Sequence, residues 1–272
     1  YLDAHSNGNT IIGSSVTVWS ANYGFHIEGS SNTVTRSYMS APDDALHLSG
    51  SYCNVTGSTM VATAGGNNWA LNMIGSWNTL SDSVVLNPFG IALEVSHVGG
   101  SHNTVSSSYI QGSTAARVDA PYTTIDSSVL VATGRGGSAL WLTSNHLLLK
   151  SSTLIGGSQG NGATLRAGGV VVLSTNVISG ASLGVSIGVG GSLVIASMTF
   201  SALTPGATAI QLEGGVLVAT FTGVNFADPA IDTNVNARSM GAGTSVTMAL
   251  PSGIRAGRAF ENDPNGYVHW PV

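Results

Sequence analysis

A short phrase, Gly-Ser-x-Asn running into Thr or an apolar residue, returns along this chain at intervals that leave few folds open. It stands at Gly29-Ser30-Ser31-Asn32-Thr33-Val34, Gly75-Ser76-Trp77-Asn78-Thr79-Leu80 and Gly100-Ser101-His102-Asn103-Thr104-Val105. A looser copy is Gly50-Ser51-Tyr52-Cys53-Asn54-Val55. A period of roughly 20–25 residues is the mark of stacked units, none of which closes a core alone. Aligned on the apolar residue after this corner, the units begin at Ile11, Val34, Val55, Leu80, Val105, Ile125, Leu149, Val172, Ile195 and Val218. A second apolar residue follows in nearly every unit: Val16, Met39, Met60, Val85, Ile110, Leu130, Leu154, Val177, Phe200. An alternating apolar pair comes third, from Phe25/Ile27 and Leu46/Leu48 through Leu140/Leu142 to Ile210/Leu212.

Each unit, or rung, therefore supplies three short strands whose inward residues alternate with period two, and no run keeps the 3.6 period of a helix. The expected fold is all-β: a right-handed parallel β-helix (solenoid) of about ten rungs, because crossovers between parallel strands are right-handed. It should occupy residues 1–234, with 235–272 as a C-terminal capping segment rich in large residues (Phe260, Tyr267, Trp270) and prolines (Pro251, Pro264, Pro271). Such a cap would cover the last open strand edge. Asn tolerates left-handed backbone and bonds its own turn. On that ground Asn9, Asn32, Asn54, Asn78 and Asn103 should stack as a ladder at one bend, with Gly168-Gly169, Gly190-Gly191 and Gly214-Gly215 at the later corners.

Composition narrows function mainly by exclusion. Only 8% of residues are charged, the net charge is −5 and Lys150 is the sole lysine. Nucleic acid is excluded as a partner, since phosphate binding needs concentrated positive charge. No apolar stretch is long enough for a transmembrane helix, and no membrane partner is expected. Cys53, the one cysteine, has no intrachain partner. Low charge with abundant Ser, Thr and Gly points to an extracellular or cell-surface protein, and the mid-pattern start at Tyr1 to a further segment upstream.

The residue between each inward pair faces outward. Read rung by rung it is His26, His47, Asn72, Glu94, Arg117, Trp141, then Thr164, Ser186, Gln211 and Asp232. The first six are large or ionisable, and Tyr23, Glu28, Asp43, Asp44, Trp69 and Asp119 flank them. A chain this poor in charge has gathered much of it on one face. Carbohydrate suits such a face: Trp141 and Trp69 offer platforms for sugar rings, and Tyr23, His26, Asn72 and Arg117 offer polar contacts. His26 and His47 on adjacent rungs lack a third ligand, so acid–base work with Glu94 is favoured over a metal, and neither metal nor cofactor is expected.

The whole repeat pattern, from about Thr10 to Asn234, resembles the pectin-lyase-like right-handed parallel β-helix superfamily. Within it, Asp43-Asp44-Ala45-Leu46-His47-Leu48 is similar to the Asp-Asp-Cys-x-x-Ile rung of polygalacturonase-type glycoside hydrolases. That resemblance implies catalytic carboxylates at Asp43 and Asp44. The neighbouring rungs read Ala21-Asn22-Tyr23-Gly24-Phe25-His26 and Asn68-Trp69-Ala70, without the family's other motifs.

Two functions follow. The first is extracellular polysaccharide processing by a hydrolase or lyase, with catalytic Asp43, Asp44, His47 and Glu94. The second is a non-catalytic structural or adhesive β-helix, a homo-oligomer built as a trimer or by end-to-end stacking. A column of Thr10, Thr33, Thr79, Thr104 and Thr124 also raises ice binding, but Asn54-Val55 interrupts it.

Overall fold

The computed structural model describes residues 1–238 except 21–22, 65–67, 97–99, 144–145, 167–168, 189–190, 214–216 and 227; beyond 238 it describes only Ser245–Met248 and Val268–His269. The described chain is all-β and winds as a right-handed parallel β-helix. No described helix is long and apolar enough to cross a membrane. The first sheet is a ladder of twelve parallel strands, starting Thr10–Ile12, Thr33–Thr35, Asn54–Thr56 and Thr79–Ser81. Its last two are Ser245–Met248 and Val268–His269, which extend the ladder in parallel. The expected cap's landmarks from Pro251 to Pro271 lie outside the described residues.

The second sheet stacks strands such as Tyr38–Ala41 and Thr59–Ala62, and the third stacks Tyr23–Ile27, Asp44–Leu48 and Trp69–Met73. In two rungs the second and third strands fuse into one, Val84–Val95 and Tyr109–Val118, with a register shift between Asn87 and Ile91.

Each column of inward residues runs through the coil as a buried stack. Val34, Val55, Leu80, Val105, Ile125 and Leu149 form one, and Leu46, Leu71, Leu93 and Leu140 belong to another, all at most 1% exposed. A fully buried Leu or Val gains roughly 1.5–3 kcal/mol over an exposed one, so these stacks are the main source of stability. The expected register fails in the eighth and tenth rungs. Leu149 pairs with Leu173 rather than Val172, Leu154 with Ile178 rather than Val177, and Ile195 with Phe221 rather than Val218. Val170-Val171-Val172-Leu173 is apolar at every position, so period two leaves no trace in the sequence there.

The recurring phrase acquires a reason at each position. A Cβ on Gly50 would lie 2.0 Å from the Gly29 carbonyl oxygen, and one on Gly75 2.0 Å from that of Gly50. Only glycine lets successive rungs approach this closely. The Ser hydroxyl accepts the backbone N–H of the next rung's Ser: Ser51 N to Ser30 Oγ, Ser76 N to Ser51 Oγ, Ser101 N to Ser76 Oγ. The x residue takes positive φ, near 60° at Ser31, Tyr52, Trp77 and His102. The buried Asn accepts a neighbouring rung's N–H and donates to a corner carbonyl.

The ladder's third place belongs to Cys53, correcting the expectation for Asn54. Asn54 pairs with Thr33 and Thr79 in the first sheet, while Cys53 N donates to Asn78 Oδ1 and Cys53 Sγ to Gly29 O. In the looser copy Asn54 occupies the place of the Thr, so alignment on Val55 puts Cys53 where the other copies have Asn.

A second ladder had no counterpart in the sequence reading. At the corner between the first and second sheets, the buried hydroxyls of Ser37, Ser58, Ser83, Ser108, Ser128 and Ser152 each accept the N–H of the preceding rung, and Asn176 ends the series. Each follows a positive-φ residue such as Arg36, Asp82 or Ser107.

Candidate functional site

The third sheet carries the site, and its outward column holds the expected register. His26 pairs with His47, His47 with Asn72, Asn72 with Glu94, Glu94 with Arg117, and Arg117 with Trp141. Thr164, Ser186 and Gln211 follow. The column ends differently from expectation: Gln211 pairs with Asn236, not Asp232, because Ile231 pairs with Ala207 rather than Ile210 and an irregularity after Ala207 adds one further place.

A column of very small residues opens these strands: Gly24, Ala45, Ala70, Ala92, Ala115 and Ala139, the alanines fully buried. The residue after each alanine, such as Leu46 or Leu71, is also fully buried. Two consecutive inward side chains break the alternation, and the break turns residue 44 to the same side as residue 47. Asp44 Oδ2 consequently meets His47 Nδ1 at 2.7 Å. The same carboxylate takes Asn72 Nδ2 at 3.5 Å and the Trp69 backbone N–H at 3.4 Å. Asp44 is 2% exposed, a carboxylate enclosed by its own donors. Asp43 beside it is half-buried, and burial together with the Asp44 charge raises its pKa.

At one end of the column the rings cluster. Tyr23 lies 4.7 Å from the His47 ring and 5.0 Å from that of His26, and the two imidazoles meet edge to face at 4.6 Å. Tyr1 closes on His26 from the other side. His26 Nε2 is near Ser49 Oγ and Glu28. Burial, and next the neighbouring His47, lower the His26 pKa against the pull of Glu28 and Asp44.

Two rungs beyond His47 stands Glu94, 5% exposed. Burial drives its pKa up to about 8; the Arg117 guanidinium opposes the rise and Asp119 adds to it. Glu94 is thus a carboxylic acid at neutral pH. Arg117 Nη2 is tied to Asp119 Oδ2 at 2.7 Å, and its Nε lies 3.8 Å from Glu94 Oε1. Asp119 also accepts a hydrogen bond from the Thr143 hydroxyl. The Trp69 indole lies near enough to Glu94 to influence its proton, yet neither Trp69 Nε1 nor Glu94 Oε2 makes a hydrogen bond of proper geometry. Asn72 Oδ1 and Arg117 Nε are likewise without hydrogen-bond partners. Four such atoms on three consecutive rungs are unusual, because buried polar groups are nearly always paired.

The residues expected to bind or act thus fall into two joined groups. Tyr23, His26, Asp44 and His47 form one; Trp69, Asn72, Glu94 and Arg117 form the other, with Asn72 bridging to Asp44. Trp141 follows Arg117 and is 38% exposed. Among the described residues, no three His, Cys, Asp or Glu side chains converge as a metal-binding group.

A feature absent from the expected site lies at the corner beyond this sheet. The x residues Tyr52, Trp77 and His102, with Tyr122 and His146, stack ring on ring at 6.4, 4.2, 4.7 and 4.5 Å. Tyr52, Trp77 and Tyr122 are at least half exposed. Its signal was the aromatic content of the x position, visible once the repeat is aligned.

Fold and site define a parallel β-helix protein with a buried acid–base cluster on the outward face of one sheet. No protein-family model matches the sequence, and no curated protein matches it. Among solved structures, the chain is similar to the crystal structure of the pectate lyase Pel9A, at 13% identity and a TM-score of 0.43. The match covers 85% of this chain and 62% of that one, so this chain spans less than two thirds of that structure.

Proposed function

We propose that this is an extracellular glycan-processing β-helix, which binds an extended polysaccharide along the third sheet from His26 to Trp141 and cleaves it by general acid–base chemistry. The observation that carries the reading is the set of unpartnered buried atoms on Trp69, Asn72, Glu94 and Arg117. A buried polar group left unpaired costs about 1–3 kcal/mol, and a purely structural sheet face has no reason to gather such atoms on three adjacent rungs. A hydroxyl-rich ligand would satisfy these atoms once the partly exposed Trp69 and Arg117 side chains part over Glu94.

In this reading Glu94 is the general acid, since it keeps its proton at neutral pH. His47 is the base, and Asp44 orients it through Nδ1, leaving Nε2 for the substrate side. Tyr23, His26, Asn72 and Arg117 bind along the chain, and Trp141 stacks against a sugar ring. Asp43 adds a carboxyl at the margin of the dyad. The test is cleavage of a panel of neutral and acidic polysaccharides by the wild type and by Glu94→Gln, His47→Ala and Asp44→Asn. Each variant should lose on the order of 10²-fold or more in rate. Undiminished cleavage by all three would sink the assignment.

The exposed ring stack from Tyr52 to His146 favours a second reading, a structural or adhesive β-helix acting as a trimer or end-to-end stack. That reading expects an oligomer in light scattering and no product from any glycan; a monomer that releases product rules it out.

A further inference from the structure

Resting on that reading, we infer that the substrate is a neutral glycan, and that the bond is broken by hydrolysis rather than by elimination from a uronate. The hydrogen-bond inventory of the site is the first argument. Trp69 Nε1–H and Arg117 Nε–H are donors without acceptors, Asn72 Oδ1 is an acceptor without a donor, and Glu94 Oε2 is unpaired. A group that both donates and accepts from the same atom fits all of them, and that group is a hydroxyl. A carboxylate accepts only. Seated there, it would leave Asn72 Oδ1 unsatisfied.

The charge census is the second. Asp44, Glu94 and Asp119 are buried along this stretch, and Asp43 and Glu28 flank it. The cation within it, Arg117, is already bound to Asp119 and drawn toward Glu94. His26 and His47 lie at the other end, packed against Tyr23 with His47 held by Asp44. Arg166 is exposed and aligned with Thr143, two rungs beyond the Arg117 rung and past Trp141. A uronate seated over Asn72 and Glu94 therefore meets carboxyls with no uncommitted side-chain cation beside it among the described residues. A β-elimination needs such a cation, because the sugar carboxylate must be neutralised before the adjacent C5 proton becomes acidic. A neutral sugar lacks that carboxylate and cannot eliminate.

Hydrolysis balances with the groups present. Glu94 gives its proton to the glycosidic oxygen as the bond to the anomeric carbon breaks, its electron pair going to that oxygen. A water oxygen bonds to the anomeric carbon, and the water's proton passes to His47 Nε2. His47 and Glu94 stand two rungs apart, about 10 Å at the backbone, which leaves room for a water between them.

Titration calorimetry on the full chain separates the outcomes. The probes are gluco-, manno-, galacto- and xylo-oligosaccharides against oligogalacturonate and oligomannuronate, the acidic ones with and without calcium. Binding of at least one neutral series, little affected by salt and about tenfold or more tighter than either uronate, is expected. Trp69→Phe, which removes the indole N–H together with the ring that carries it, should weaken that binding by about tenfold. Glu94→Gln should keep it while abolishing release of reducing ends. Uronate binding equal to or tighter than neutral binding, in either calcium condition, overturns the neutral-substrate inference but leaves glycan processing standing. So do products that absorb as unsaturated uronides. Neutral binding indifferent to Trp69→Phe moves the ligand off this site and overturns it too. No binding of any glycan defeats the parent reading itself.

Discussion

An enclosed carboxyl group keeps its proton, and Glu94 shows this where hydrogen-bond donors and a guanidinium stand close by. Folding raises its pKa from an ordinary 4.5 to about 8. Between those values the folded chain holds a proton that the unfolded chain has released. The stability associated with this group is therefore complete below about pH 4.5 and is lost as pH rises through 8. Each pKa unit corresponds to about 1.4 kcal/mol, so the loss is on the order of several kcal/mol. His26 acts in the opposite sense, its lowered pKa costing stability as pH falls through and below 6.5. The difference between wild type and Glu94→Gln isolates Glu94: urea midpoints should fall for the wild type relative to the variant between pH 5 and pH 8. Parallel curves would contradict a protonated Glu94. Cys53 is a second case. Its thiol fills a place that Asn occupies on neighbouring rungs and donates weakly to Gly29 O at 3.4 Å. Cys53→Asn should raise stability by about 1 kcal/mol, because a carboxamide donates better and adds an acceptor toward the Asn32 rung. A fall in the denaturation midpoint would show that the thiol's packing matters more. His26, His47 and Glu94 were legible as outward residues from alternation alone. The Asp44–His47 bond was not, because alternation cannot show that Ala45 and Leu46 both turn inward.

The corners, rather than the strands, set the rung-to-rung register. Ser83, 2% exposed, accepts from Ser58 N–H and donates to Ser81 O. Ser83→Ala would strand the Ser58 N–H in the interior and should cost about 1–3 kcal/mol, read as a lowered urea midpoint with an unchanged slope. A shift within error would mean that water reaches this corner. The aromatic stack at the other corner balances two terms. Each bulky residue at positive φ costs roughly 1–2 kcal/mol, while each stacked pair returns about 0.5–1.5 kcal/mol beyond its burial. These are of similar size, so the rings hold their corners without needing a ligand. The serine ladder was present in the sequence as a Ser two places before each second apolar residue, from Ser37-Tyr38-Met39 to Ser152-Thr153-Leu154. In a chain so rich in serine, that column does not stand out until pairing shows which hydroxyls are inside.

A coil whose rungs touch only their neighbours responds locally to anything bound to it. Glycan bound over Asp44–Leu48, Trp69–Met73, Val84–Val95 and Tyr109–Val118 should slow amide hydrogen exchange there, with Leu183–Gly188 unchanged. Uniform protection along the coil would indicate global stabilisation instead of a seated ligand. At this scale the division between sequence and structure is clear. Repeat length, period-two alternation and the scarcity of charge were enough by themselves to determine an all-β, three-stranded, stacked coil. They also picked out one face with most of the chemistry, because a solenoid's core is a local pattern copied from rung to rung. Tertiary structure alone decided which side chain stands in each ladder where the pattern slips, as at Cys53 and Leu173. It also decided that Asn72 and Glu94 of the outward column are enclosed rather than solvated. Burial depends on neighbours a full rung away in the chain, and it is burial that leaves Glu94 protonated and four polar atoms without hydrogen-bond partners.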